Sequence, residues 1–130
     1  MKKLTILLVI IFTFLFSTTC WGDWSFVSIN SDGDKFYYEK EGVKKSGKFL
    51  YFWLLLDTIK PTENGDLSYT AYIQLHCIIM RNKMLKLHSY NKSMGKGEIT
   101  SSTTPEDEWE YPPPGTTFNI AFNEICGEQM

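Results

Sequence analysis

Apolar and polar residues alternate along most of this chain, and such alternation is typical of β-strands. The clearest case is residues 67–79, where seven consecutive odd-numbered positions are apolar and polar side chains occupy several of the even ones. Shorter segments of the same kind predict strands over 24–29, 36–38 and 84–90 and a weaker strand around Ile99. We therefore expect a fold built mainly from β-strands.

Residues 48–57 differ, because both alternating sets of positions are apolar. As a strand, this segment has two apolar faces, one with Phe49, Tyr51, Trp53 and Leu55 and the other with Leu50, Phe52, Leu54 and Leu56. Periodicity alone does not exclude a helix, but the aromatic residues and the flanking Gly47 and Pro61 favour a strand. Such a strand is covered on both faces by its own chain, or one face meets a partner.

The spacing becomes helical near the end of the chain. Apolar residues at 118, 121, 122, 125 and 126 follow the repeat of one helical face. Thr116 or Thr117 can cap the start of this helix, and Gly127 stands where a left-handed C-terminal cap is expected. The expected fold class is therefore α+β, with one C-terminal helix packed on a sheet.

The first 22 residues have the pattern of a secretory signal peptide, in which a lysine pair precedes an apolar stretch over residues 4–16. Cleavage after Gly22 is the first expectation and cleavage after Thr19 the alternative. The remainder, residues 23–130, has the length of a single domain. Loss of the two lysines changes the formal charge from −2 to −4, which argues against nucleic acid as a partner.

Cys20 is a candidate for the lipid anchor of a bacterial lipoprotein. Such an anchor requires Leu three residues before the cysteine and Gly or Ala directly before it, whereas this chain has Ser17 and Thr19. We therefore expect contact with a membrane only if Cys20 is lipidated. The expected location is the periplasm, the outer-membrane surface or the exterior of the cell.

Two cysteines, Cys77 and Cys126, remain after cleavage. An even pair in an exported domain indicates a disulfide bond, and two buried free thiols are the alternative. Cys77 is predicted on the buried face of strand 67–79, and Cys126 on the apolar face of the helix. The bridge would therefore join the helix to the sheet.

Several elements follow one another in an order typical of a known family. In chain order they are Trp24, Phe36-Tyr37-Tyr38 with Glu39, Trp53 with Leu55 and Asp57, Ser68-Tyr69 ahead of Cys77, Arg81, Tyr90, Met94-Gly95, Trp109, Pro114-Gly115-Thr116 and Cys126. With these elements the chain resembles the surface-adhesin protein E family of bacterial exported domains. The resemblance implies an antiparallel sheet of about six strands with a disulfide-linked helix on one face. It also implies adherence to host matrix or serum proteins, and dimer formation.

The two histidines are candidates for a metal site. If the hairpin after strand 67–79 turns on Asn82, His76 and His88 pair across it and could supply half of a zinc site. No third ligand follows from the spacing, so solvated histidines are the preferred interpretation. The sequence also lacks the G-x-S-x-G signature of a nucleophile elbow, and we expect no catalytic residue, metal or cofactor.

The apolar excess of residues 48–57 is the strongest indication of binding. One helix can cover only one face of the sheet, and loops of the same chain are the alternative cover for the other. The expected interface residues are Phe49, Tyr51, Phe52, Trp53, Leu54 and Tyr72. We expect an exported, non-catalytic adhesin-like domain that engages host or envelope proteins and forms a homodimer. The alternative is a periplasmic or envelope protein with a structural or enzymatic role.

Overall fold

The computed structural model describes residues 23–130, which form one antiparallel sheet and a C-terminal helix. The strands are β1 (Trp24–Ile29), β2 (Lys35–Glu39), β3 (Lys44–Ser46), β4 (Phe49–Asp57), β5 (Ser68–His76), β6 (Arg81–Tyr90) and β7 (Ile99–Thr103). They lie in the order β1-β2-β4-β5-β6-β7, and the short β3 continues the edge of β4 that β2 occupies. The helix α1 spans Thr117–Gln129.

The predicted α+β class, the antiparallel sheet and the single C-terminal helix are confirmed. The sheet has seven strands, one of them, β3, only three residues long. All but the first of residues 48–57 form the strand that the aromatic content favoured, and β4 runs through the middle of the sheet with partners along both edges. Its central position explains why both of its faces are apolar.

The core lies between α1 and one face of the sheet. Phe122 packs edge-on against Phe52, with ring centroids 6.4 Å apart, and Ile125 is also fully buried. Phe118, one turn earlier, meets Phe36 at 5.3 Å. Full burial of Phe122 and of Ile125 stabilises the fold by about 1.5–3 kcal/mol each, which makes this helical face a main support of the sheet.

The predicted disulfide is present and joins Cys77 to Cys126, with Cα atoms 5.8 Å apart. The predicted setting of Cys77 was wrong, because β5 ends at His76 and Cys77 lies in the following turn, residues 77–80. Met80 closes that turn with a positive φ of 48°, and Ile78 in the turn is 74% exposed. The apolar alternation in the sequence continues past the end of β5, because the turn carries apolar residues and no glycine.

The helix begins where the sequence predicted and ends later. The Thr116 hydroxyl accepts a hydrogen bond from the Asn119 amide at 3.3 Å, as expected for an N-cap. The predicted cap at Gly127 was wrong, because α1 continues to Gln129. Contacts with the sheet hold this last turn in place: the Tyr38 hydroxyl donates to the Glu128 carboxylate, whose oxygen lies 3.6 Å from the Lys40 ammonium.

Tyr38 makes the stability of the domain depend on pH in the alkaline range. Burial raises the pKa of Tyr38 to about 12, and the hydrogen bond to Glu128 acts in the same direction. The folded state therefore holds this proton more tightly than an unfolded chain, in which tyrosine has a pKa of about 10. The resulting stabilisation is complete below about pH 10 and is lost as the pH rises toward about 12.

We expect Tyr38→Phe to lower the free energy of unfolding by about 1–3 kcal/mol at pH 8, because Glu128 loses its hydrogen-bond donor. That difference should shrink between about pH 10 and about pH 12, because only the wild type loses the bond of a protonated Tyr38. Urea unfolding at pH 8, 10 and 11.5 measures it. A difference that stays constant over this range would contradict the assignment of the proton to Tyr38.

No helix among the described residues is long and apolar enough to cross a membrane. The predicted signal peptide, residues 1–22, and the candidate lipid attachment at Cys20 lie outside the described residues.

Candidate functional site

The strand β4 divides the candidate interface residues between the two faces of the sheet. Phe52 and Leu54 point toward α1 and are 0% and 4% exposed. Phe49, Tyr51 and Trp53 alternate with them and are only partly buried. We call the side of the sheet that carries Phe49, Tyr51, Trp53 and Leu55, opposite α1, the open face.

The prediction that Phe52 and Leu54 belong to an interface is thereby corrected. Both side chains are part of the hydrophobic core beneath α1 and have no surface to offer a partner. The sequence could not separate the two faces of this strand, because apolar residues occupy both. The position of the helix determines which face is buried, because Phe122 packs against Phe52.

Aromatic side chains from three neighbouring strands meet at the centre of the open face. Trp53 pairs with Tyr72 across the β4–β5 ladder, with ring centroids 5.1 Å apart, and it stacks on His88 of β6 at 5.6 Å and 21°. The cluster continues outward on both sides of these rings. Tyr51, Trp53, Tyr72, His88 and Tyr90 are together called the aromatic cluster.

Polar contacts fix the orientation of the outer rings of the aromatic cluster. The Gln74 side-chain amide donates to the Tyr51 hydroxyl at 3.0 Å. The hydroxyl groups of Thr70 and Tyr90 lie 3.2 Å apart and share a hydrogen bond. The rings are therefore held in place before any partner arrives, which lowers the entropic cost of binding.

Loops of the same chain cover both ends of the open face. At one end, the Met94 amide donates to the Asp57 carboxylate at 2.8 Å, and the Gly95 amide donates to the Ser68 hydroxyl at 2.9 Å. Leu55, beneath this loop, is completely buried. The alternative of cover from within therefore holds for this end of β4, while the aromatic cluster beyond it stays partly exposed.

Trp109 covers the opposite end. Its indole stacks on Phe49 with centroids 5.7 Å apart, while the Arg81 guanidinium and the Lys83 ammonium lie 4.3 Å and 4.5 Å from the centroid of the indole. Lys83 also pairs with Asp107 at 2.6 Å. Phe49 is thus largely engaged inside its own chain, and the surface open to a partner narrows toward Tyr51, Trp53 and Tyr72.

The histidines share the open face, as predicted, but they do not pair. His76 stands opposite Arg81 and His88 opposite Thr70, because the chain turns over residues 77–80 and not around the predicted centre at Asn82. His76 is not solvated as preferred from the sequence: it is only 7% exposed, and its Nδ1 atom accepts the Ile79 amide at 3.3 Å. Residues 23–130 contain no group of three or more side chains suited to hold a metal ion.

Beside the aromatic cluster, toward β1, the open face carries a shallow pocket of about 210 Å³. Four of its residues, Trp53, Thr70, His88 and Tyr90, have been described, and the other two are Trp24 and Glu39. Trp24, Glu39 and His88 were not among the expected interface residues, because their approach to Trp53 depends on the pairing of distant strands and on a bulge at Tyr72/Ile73.

The helix side of the sheet has its own apolar depressions. Two pockets of about 390 Å³ and 240 Å³ share Met84 and Phe118 and run along the start of α1. They form because α1 lies over the β1–β2–β4 half of the sheet and leaves the inner side of β6 partly uncovered. This groove is a second surface, distinct from the open face.

Comparison with known proteins agrees with this architecture. The chain is similar in structure to Haemophilus influenzae protein E in crystal form II, with a TM-score of 0.65, 16% identity, and coverage of 85% of this chain and 92% of that one. For protein E from non-typeable Haemophilus influenzae the values are 0.59, 17%, 86% and 82%. A search of curated proteins found no match. The model of the family described as surface-adhesin protein E matches residues 24–127. This chain therefore belongs to the surface-adhesin protein E family.

Proposed function

We propose that this domain is an exported, non-catalytic adhesin that binds an extracellular protein partner through the aromatic cluster of its open face. The observation that carries the proposal is the stack of Trp53 with Tyr72 and His88 at the centre of a sheet face that α1 leaves uncovered. Tyr and Trp side chains are enriched in protein interfaces and dominate their binding energy. A rigid, partly exposed group of such rings suits recognition of a protein.

The polar groups around the cluster support binding more than catalysis. Asp57 and Ser68 hold the Met94–Gly95 loop, and Gln74 orients Tyr51. These side chains are engaged in positioning the surface. We propose a host extracellular-matrix or serum protein as the partner, because the family is described by a surface adhesin, protein E.

Homodimerisation through the same face is the second candidate role. The observation that favours it is the length of partly exposed aromatic surface along β4 and β5, from Tyr51 to Tyr72. Two copies stacked on this surface would remove it from water, and such burial drives association. A dimer of this kind would compete with a protein partner for Trp53.

Surface display is the property that separates an adhesin from a periplasmic protein. Trypsin treatment of intact cells should degrade this protein while a soluble periplasmic marker survives.

Mass spectrometry of the N-terminal peptide should show Asp23 as the first residue, consistent with removal of residues 1–22 as a signal peptide. Protection until the outer membrane is permeabilised would favour the periplasmic alternative, and a lipid-modified Cys20 would replace the proposed cleavage site.

A further inference from the structure

The shallow pocket on the open face combines indole rings with a single carboxylate. Its lining residues are Trp24, Glu39, Trp53, Thr70, His88 and Tyr90, and we call it the Glu39 pocket. Glu39 is the last residue of β2 and stands directly opposite Trp24 of β1. Continuing the β2–β4 register by one residue places it opposite Trp53 as well. Glu39 therefore lies between two tryptophans of the neighbouring strands, and its carboxylate lies beside Gly42 at the edge of the pocket.

Glu39 has no partner for its charge in the described part of the chain. Within residues 23–130 its carboxylate takes part in no salt bridge and accepts no side-chain hydrogen bond that meets ordinary distance limits. The residue is nevertheless only partly exposed, because it is flanked by neighbouring strands. A partly buried carboxylate without a counter-charge favours the arrival of a cation.

The rings of the pocket are held in fixed positions. His88 stacks on Trp53 at 21°, and its Nδ1 atom is buried without a hydrogen-bond partner among the described residues. Tyr90 is oriented by its hydroxyl contact with Thr70. The pocket thus presents aromatic surfaces that need no rearrangement to receive a ligand.

We propose that the Glu39 pocket accepts a cationic side chain of the partner protein, and that the guanidinium group of an arginine fits it best. The inference deepens the proposed function, because it names the chemistry by which the open face recognises its partner. A cation is attracted to the negatively polarised face of Trp and Tyr rings, and a carboxylate adds a charge-assisted hydrogen bond. Arginine is preferred to lysine because its planar group can stack on an indole while it pairs with the carboxylate.

The same face already uses this chemistry within the chain. The Arg81 guanidinium lies 4.3 Å from the centroid of the Trp109 indole, at the far end of β4 from the Met94 loop. The Glu39 pocket offers an equivalent indole surface together with an acid but no cation. Among its six lining residues Glu39 is the one acidic side chain and none is Lys or Arg. Lys86, on the same face, is exposed beside Tyr72 and does not line the pocket.

The test uses the oxidised mature protein and a small probe, N-acetyl-arginine methylamide, at pH 8. Two-dimensional NMR should show saturable shifts of the Trp24 and Trp53 indole N–H signals, while the uncharged citrulline analogue produces none. Glu39→Gln keeps the shape of the side chain and removes its charge, so it should weaken binding by roughly tenfold or more. Glu41→Gln, an exposed acid outside the pocket, is the matched control and should bind as the wild type does.

Several outcomes would overturn the inference. They are the absence of saturable indole shifts, equal affinity of Glu39→Gln and the wild type, or binding of tetramethylammonium while the arginine probe fails, since the last result indicates a small quaternary amine as the ligand. Failure of this inference can be told apart from failure of the proposed function. Probe binding without surface display would support the cation pocket and contradict the adhesin function. Surface display and adhesion without probe binding would support the adhesin function and contradict the cation pocket.

Discussion

Replacing Cys77 or Cys126 by serine should lower the free energy of unfolding by about 2–5 kcal/mol. The bridge joins residues 49 apart in sequence, and a crosslink of that span removes much of the conformational freedom of the unfolded chain. It also ties the exposed 77–80 turn to the last turns of α1, whose buried residues support the sheet. For a small domain, with a total stability of about 5–15 kcal/mol, this is a large share.

Urea unfolding of the oxidised wild type and both variants measures this loss. Reduction of the wild type should reproduce the unfolding midpoint of the variants, and the variants themselves should not respond to the reductant. Unchanged midpoints after substitution of either cysteine would show that core packing alone holds the helix against the sheet.

The strands and the helix followed from the sequence because their patterns reflect burial directly. Alternation over β5 and the helical spacing at Phe122 and Ile125 each record which side chains face the core. The disulfide followed from the number of cysteines that remain after export. These features depend on local spacing or composition, so a single sequence carries them.

The details that failed depend on contacts between distant residues. The turn after β5 ends at Met80, which has a left-handed backbone conformation although it is not a glycine. Because this turn lies before Asn82, His88 pairs with Thr70 and not with His76 as expected. The end of α1 passes Gly127 because Glu128 meets Tyr38, a contact across 90 positions of sequence. The Glu39 pocket likewise needs β1, β2, β4, β5 and β6 in register, and no short motif encodes that arrangement.

Phe52→Asp and Trp53→Asp should have opposite consequences although the residues are neighbours. Phe52 is completely buried against Phe122, so a carboxylate there should cost about 4 kcal/mol or more and leave the domain largely unfolded. Trp53 is partly exposed on the open face, where an aspartate can reach water, and its replacement should cost about 1–2 kcal/mol.

Circular dichroism during thermal unfolding separates the two variants, and light scattering at micromolar concentration reports their mass. If the wild type is a homodimer through the open face, Trp53→Asp should be a folded monomer. A folded Phe52→Asp would mean that the helix does not cover that side of β4. A wild type that remains monomeric at all concentrations would remove the second candidate role and leave the open face to another protein.

The central claim is that the open face is the binding surface, and a solid-phase binding assay tests it most directly. Purified wild type, Trp53→Asp and Ile120→Asp are applied to immobilised host matrix and serum proteins. Ile120 is 51% exposed on α1, on the opposite side of the sheet, and serves as the matched control. We predict that the wild type and Ile120→Asp bind the same protein equally and that Trp53→Asp loses that binding while remaining folded. Equal binding by Trp53→Asp would contradict this account, and loss of binding in Ile120→Asp alone would place the contact surface on the helix side.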